Sequence, residues 1–219
     1  MSHVFPFQGT QLVALPSGAL FWPDRNLLVV SDLHFGKSAR ASRFGGAQLP
    51  PYETRETLLR LEDDLTGTRA RQVICLGDSF DSPEVGGALP EAELLWISRL
   101  QAGRDWTWIE GNHDPGPVGL GGTHLAQMTL GPLTFRHIAT ATGQGEVSGH
   151  YHPKAMLSLR GRQLSRPCFL LDQTRLILPA FGTYTGGLTT RSAPLARLMA
   201  PGAQAILTGP SPCAIPMPR

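Results

Sequence analysis

Cysteine is scarce in this chain. Only Cys75, Cys168 and Cys213 occur in 219 residues, with no Cys-x-x-Cys spacing, and an odd number cannot pair completely. That excludes a fully paired disulfide framework and points to a reducing compartment, with Cys75, inside an apolar run, as a core residue. Long apolar runs are also missing. None approaches the roughly 18 residues of a membrane span. The first residues, Met1 to Gln8, lack the basic-then-apolar pattern of a secretory leader. A soluble cytoplasmic protein is the expectation. Nucleic-acid-reading modules are absent too: no RRM, KH, helix-turn-helix or zinc-finger pattern is present, which argues against base-specific readout.

Charge is sparse, at 16% of residues, against 41% hydrophobic, which is enough for a sizeable core. The net charge of +2 is unevenly placed. Residues 1–115 carry 10 Lys and Arg against 15 Asp and Glu, whereas residues 116–219 carry 9 against 2, Glu146 and Asp172. Acidic helices followed by arginine-bearing strands would produce this split, and so would a basic surface for a polyanion. Arginine far outnumbers lysine, and its planar fork suits bidentate phosphate contact. The length fits one domain. We expect it to occupy residues 1–210, followed by a Pro-rich tail over 211–219.

The order of elements is α/β. A hairpin is expected from Gln11–Leu15 and Ala19–Trp22 around Pro16-Ser17-Gly18. Compact apolar runs predict buried strands at Leu27–Ser31, Gln72–Leu76 and Trp106–Glu110. Leucines at helical spacing predict helices over Pro51–Leu65 and Pro90–Gln101. Beyond Gly111 the texture changes to short strands: Leu125–Leu130, Leu133–His137, Glu146–Ser148, Ala155–Leu159, Cys168–Leu171 and Arg175–Leu178. The βαβαβ order followed by strands suggests a two-layered sheet core with helices outside.

Chemistry-bearing residues stand where these strands end. The first buried strand runs into Asp32-Leu33-His34, the second into Gly77-Asp78, and the third into Gly111-Asn112-His113-Asp114. His137 ends a later strand and Gly149-His150-Tyr151-His152 follows. Polar groups at the carboxyl ends of neighbouring strands converge on one crevice. Singly, Asp-x-His or Gly-Asp arises by chance. All of these blocks in one order are hard to explain as accident. The donors are carboxylates, imidazoles and one amide oxygen, a set suited to manganese, iron or zinc. Asp78, on the central strand, is placed to bridge two ions. Two divalent cations against the two carboxylates Asp32 and Asp78 leave positive charge over. That charge would attract a phosphate and lower the pKa of a bound water. His124 competes with His137 for one ligand position. His137 is preferred because it closes a strand shortly before Gly149-His150, whereas His124 adjoins the Gly121-Gly122 turn.

These blocks, spanning residues 32–152, resemble the five signature blocks of the calcineurin-like metallophosphoesterases. The resemblance implies a four-layered α/β/β/α sandwich with the site at the strand ends. It implies that Asp32, His34, Asp78 and His152 hold one metal, and that Asp78, Asn112, His137 and His150 hold the other. His113, oriented by Asp114, would act as general acid or transition-state donor. Two flanking segments are similar to the ligase-associated DNA-damage-response endonuclease branch. One is Asp32-Leu33-His34-Phe35-Gly36-Lys37 with the following Arg40 and Arg43. The other is Leu178-Pro179-Ala180-Phe181-Gly182-Thr183-Tyr184-Thr185-Gly186-Gly187. That branch implies a DNA substrate and a context of an ATP-dependent DNA ligase and a helicase.

The expected activity is therefore hydrolysis of phosphodiester bonds with two divalent ions, manganese before iron or zinc, and DNA as substrate. Lys37, Arg40 and Arg43 would track backbone phosphates. A small-molecule phosphatase or nucleotide hydrolase would use the same two-metal site, with the arginines gripping one phosphate or pyrophosphate. A metal-free scaffold is disfavoured by the intact ligand set and by His113.

Overall fold

The computed structural model describes residues 1–38, 52–82, 89–116, 119–159 and 161–219. Two sheets face each other. The first begins as a meander of β1 (His3–Phe7), β2 (Thr10–Ala14) and β3 (Leu20–Trp22), antiparallel to one another and to β4 (Leu27–Val30). From β4 onward it is parallel, through β5 (Gln72–Leu76), β6 (Asp105–Ile109) and β7 (Thr123–Leu125), so spatial order follows chain order. Parallel neighbours need long crossovers. Helices α1 (Glu53–Thr68) and α2 (Glu91–Gln101) lie in the first two.

The second sheet contains β8 (Gln127–Leu130), β9 (Leu133–Arg136), β10 (Glu146–Ser148), β12 (Arg162–Leu171), β13 (Arg175–Ile177), β14 (Gln204–Leu207) and β15 (Cys213–Pro216). Its order is β15-β14-β12-β13-β10-β9-β8, and β11 (Lys154–Leu159) pairs with the outer half of β12. A short helix, α3 (Ala193–Leu198), covers its far side.

Three apolar clusters cement four layers. Leu58, Leu61 and Leu65 of α1, with Ile97 and Leu100 of α2, pack on Leu28, Val30, Val73 and Cys75 of the first sheet. Between the sheets, Leu27, Val29, Ile74, Leu76 and Ile109 meet Phe135, Val147, Phe169, Leu176 and Ile206. Leu195 of α3 packs with Leu170, Ile177 and Ala205 on the outer face. The central strands are buried on both faces, which is why β4 and β5 read as continuous apolar runs rather than alternating ones. Each fully buried Val, Leu, Ile or Phe here contributes about 1.5–3 kcal/mol of transfer free energy. The architecture is the expected α/β/β/α sandwich. Cys75 and Cys168 are fully buried, and all three cysteines are free thiols.

Two expectations need correction. Leu125–Leu130, read as one strand, divides at Ala126: β7 closes the first sheet and β8 opens the second. Both pieces are half exposed, so their alternating pattern does not reveal that the chain changes sheets between them. Residues 211–219 are not a loose tail. Cys213–Pro216 adds an antiparallel edge strand to β14, and Met217 is buried in the outer core. Prolines survive there because an edge strand need not donate outward. Strands β1 and β14 and helix α3 were not anticipated. Six residues are too few for α3 to show a helical period.

Candidate metal centre

The strand ends do not unravel beyond β4 and β5. Backbone pairing continues past both: the Asp32 N–H donates to the Gly77 carbonyl at 3.2 Å, His34 to Asp78 at 2.9 Å, and Phe35 to Ser79 at 2.9 Å. Between these bonds the chain kinks into left-handed conformation. Asp32, His34 and Asp78 have φ of 53°, 46° and 46°, and His150 and His152 have 69° and 45°. Non-glycine residues rarely adopt such angles, and each costs on the order of 1–3 kcal/mol. Five of the seven proposed ligands thus sit on strained backbone that flanking pairing and packing hold in place.

Side chains gather in two groups. Asp32, His34 and His152 form one, and Asp78, His137 and His150 the other, with ligand atoms in each lying within 4.8 Å of one another. In the first, His152 Nε2 is 3.0 Å from Asp32 Oδ1. Asp32 is fully buried, and its Oδ2 accepts the His150 backbone N–H at 3.0 Å and the neighbouring Ser31 hydroxyl. Burial works to raise the Asp32 pKa, but His152, His137 and Ser31 outweigh it and the carboxyl stays below its ordinary range. In the second group, His137 Nε2 lies 3.3 Å from Asp78 Oδ2, 3.0 Å from Asn112 Oδ1 and 3.2 Å from His150 Nδ1. Burial likewise opposes ionisation of Asp78, yet His137 and the His113 amide bring it down to about 2. His137 is pulled down by burial and up, by more, through Asp78 and Asp32. His150 is lowered by burial and by the adjacent charge of His137.

The arrangement suits metal ions. His137 Nδ1 faces the Leu76 carbonyl at 2.8 Å, a contact only an N–H can satisfy. Nε2 is then the nitrogen that faces the Asn112 oxygen and the Asp78 carboxylate, and whenever the ring is neutral it turns a lone pair toward them. Acceptors converging in this way call for a cation. In the first group, His34 Nδ1 meets Asp81 Oδ1 at 3.1 Å, while His34 Nε2 is buried without a hydrogen-bond partner. An imidazole fixed on one nitrogen with the other aimed at the site is how histidine ligands are oriented. Asp81 was not anticipated. Its only sequence signal is its position three residues beyond Asp78.

Glycines allow the close approach. A Cβ on Gly77 would lie 2.5 Å from the His137 ring, and one on Gly111 would lie 2.1 Å from the Asp78 nitrogen. His124 sits apart, stacked on Trp108 at 6.4 Å between ring centres.

Asp114 takes a different part from the one expected, and another group orients the His113 ring. The His113 amide donates to Asp78 Oδ1 at 2.8 Å, and its half-exposed ring puts Nε2 4.0 Å from Asp78 Oδ2. The ring is oriented through Nδ1 by the Asp81 carbonyl at 3.2 Å, not by Asp114. Asp114 turns back instead and accepts backbone amides: Gly111 and Asp78 on Oδ1 at 3.0 and 2.9 Å, Ser79 and Phe80 on Oδ2 at 2.7 and 3.2 Å. It ties the Asp78 turn to the Asn112 turn. Burial, with the charge of Asp78, raises its carboxyl to about 6 against those amides.

The glycine-aromatic segment proves to be a buttress. The amides of Phe181 and Gly182 donate to the carbonyls of Ser31 and Asp32 at 2.7 and 3.0 Å. A Cβ on Gly182 would lie 2.2 Å from the Leu33 oxygen, so only glycine fits against the strained turn. Beside the second group, a cavity of about 320 Å³ is lined by Asn112, His137, Gln127 and Arg136. Lys37 is described and partly buried, whereas Arg40 and Arg43 lie outside the described residues.

Residues 25–166 match the calcineurin-like phosphoesterase family, and the chain belongs to it. It is accordingly a metal-dependent hydrolase of phosphoester bonds. Among solved structures it is similar to the Pseudomonas putida nuclease MPE, at 30% identity and a TM-score of 0.72 over 97% of this chain and 100% of that one. A comparison with curated proteins returned no match. Among the described residues, no helix is long and apolar enough to cross a membrane.

Proposed function

We propose that this protein is a two-metal nuclease that cleaves phosphodiester bonds in DNA, acting in DNA repair. The observation that carries the metal assignment is the buried, unpartnered Nε2 of His34 in a pocket with two carboxylates and three further imidazoles. Asp32, His34, Asp78 and His152 would hold one ion, and Asp78, Asn112, His137 and His150 the other. The oxygen- and nitrogen-rich set fits manganese, with iron or zinc as substitutes. When bound, the ions supply Lewis acidity toward a phosphoryl group and a water acidic enough to attack near neutral pH. The likeness to a solved nuclease over nearly the whole chain favours a nucleic-acid substrate over a small phosphorylated metabolite.

Each remaining part is played by the chain. His113, anchored by its amide to Asp78 and by Nδ1 to the Asp81 carbonyl, turns Nε2 toward the site. As an imidazolium it would donate the Nε2 proton to the departing alkoxide. Asp114 positions: by gathering four amides it fixes the turns that carry Asp78 and Asn112. Lys37, Arg40 and Arg43 would hold phosphates outside the metal centre. An ATP-dependent DNA ligase and a helicase are the partners suggested by resemblance in the flanking segments.

The test is a plasmid-nicking assay beside a small-diester assay, each with added manganese and with a chelator control. Metal-dependent nicking supports the reading. Hydrolysis of small esters with intact plasmid would sink the nuclease half and leave a phosphatase.

A further inference from the structure

A second cleft, of about 300 Å³, opens beside the Asp32 group, and three of its lining side chains are cations: Arg60, Lys154 and Arg166. Among the described residues that line it, none is Asp or Glu. The cations come from unrelated places. Arg60 projects from α1. It donates to the Phe181 carbonyl, lies over the Phe181 ring at 4.8 Å, and keeps a buried Nε with no partner. Glu56 and Asp64 on its own helix partly offset its charge. Lys154 follows His152 by two residues and donates to the Thr185 carbonyl at 3.1 Å. Arg166 is exposed on the outer half of β12, where residues 162–167 pair with β11, while Cys168–Leu171 continue into the sheet against β14. Tyr184 completes the lining. It is held at a left-handed φ of 58° and is 43% exposed.

Cleft and metal centre share a wall. Gly182 lines the cleft, and its amide donates to the Asp32 carbonyl at 3.0 Å. Three cations lining one cleft, with no carboxylate among its described lining residues, favour an anion between them. An open trough of cations with an aromatic side chain at its edge is the combination that follows a single strand, the charges taking phosphates and the ring a base. A free phosphate would be better held by cations enclosing one point.

We propose that this cleft is a second phosphate subsite, which holds the backbone of a nucleic-acid strand next to its scissile phosphodiester while Tyr184 stacks on a base. The proposal rests on the nuclease reading above and adds the path of the strand.

The manganese-loaded protein would be compared with the double variant Lys154→Gln/Arg166→Gln and with Tyr184→Leu. Single-stranded oligonucleotides of increasing length and bis-nitrophenyl phosphate serve as substrates. For the double variant, oligonucleotide KM should rise on the order of tenfold, and the salt slope should flatten by roughly 0.7 per lost contact. Tyr184→Leu should raise KM by about tenfold with the salt slope kept. Turnover of bis-nitrophenyl phosphate should stay at the parent level in both. Unchanged oligonucleotide KM and salt slope would overturn the subsite. Equal losses on bis-nitrophenyl phosphate would overturn it too, because the cleft would then act only by supporting the metal centre. Inorganic phosphate or a mononucleotide competing as strongly as the longer strands would replace the strand track with a free-phosphate site. If the parent enzyme hydrolyses bis-nitrophenyl phosphate but no oligonucleotide of any length, the nuclease reading itself fails and the subsite with it.

Discussion

The two ligand groups are chemically alike but are built differently. Asp32, His34 and His152 all stand at left-handed φ, and the turn that carries Asp32 and His34 is braced from far along the chain by Phe181 and Gly182. In the other group Asp78 and His150 are strained, whereas His137 comes off the end of β9 without positive φ and is fixed by the nearby Leu76 carbonyl. One group therefore depends on a C-terminal buttress and on a carboxylate, Asp81, behind its histidine. The other depends on a backbone carbonyl and on close approach at Gly77. Similar donor sets thus need not share supports, and damage to one support should be felt unequally.

The largest effect should come where the groups meet. Asp78→Asn should strip both ions and abolish turnover, as read by metal analysis and assay. Two fully occupied ions in that variant would remove Asp78 from the bridging role and make the groups independent. Next, His113→Ala should keep both ions and lose about 10²–10⁴-fold in turnover of esters with poor leaving groups. The loss should be smaller with nitrophenyl leaving groups. Equal loss on both would mean charge stabilisation without proton donation. Asp81→Asn should then weaken the His34 group alone, by about 10–100-fold in affinity for one ion, measured by calorimetric titration. Weakening of both ions alike would erase the contrast in support. Gly182→Ala should destabilise the fold by about 1–3 kcal/mol, because the new Cβ collides with the Leu33 carbonyl and the turn must move. Chemical denaturation reads that loss, and an unchanged midpoint would show that the buttress yields freely.

The smallest effect belongs to Asp172, a C-terminal carboxylate outside either group. Burial raises its pKa, but the Ala200, Thr174 and Arg175 amides and the Thr174 hydroxyl lower it by more. Its contribution is present above the unfolded value of about 3.9 and is lost as pH falls through the lower folded value. Because the group is only half buried and solvent screens it, Asp172→Asn should remove well under about 1 kcal/mol of this acid-side pH dependence. A larger change would mean that this end of the sandwich is as tightly braced as the metal centre.

Much of this protein follows from local chemistry in its chain. Apolar runs buried on both faces mark β4, β5 and β6, and leucine spacing marks α1. Donor residues sit where such runs stop, so the seven candidate ligands and His113 could be named without coordinates. Each of those signals is carried by residues close together in sequence. What tertiary structure decided involves partners far apart. The exchange of sheets at Ala126 and the capture of residues 213–216 as an edge strand depend on which neighbour offers free backbone groups. Asp81 acquires its place behind His34 only because parallel pairing continues past β4 and β5. Asp114 serves four amides rather than one imidazole because the turn after β6 folds back on that of β5. The glycines of the 178–187 segment look like ordinary turn residues until Gly182 meets the Leu33 carbonyl, a contact between residues almost 150 positions apart. Period and composition report how a segment will be buried. They cannot report which distant carbonyl or carboxylate will stand behind it, because that is fixed only when the layers pack.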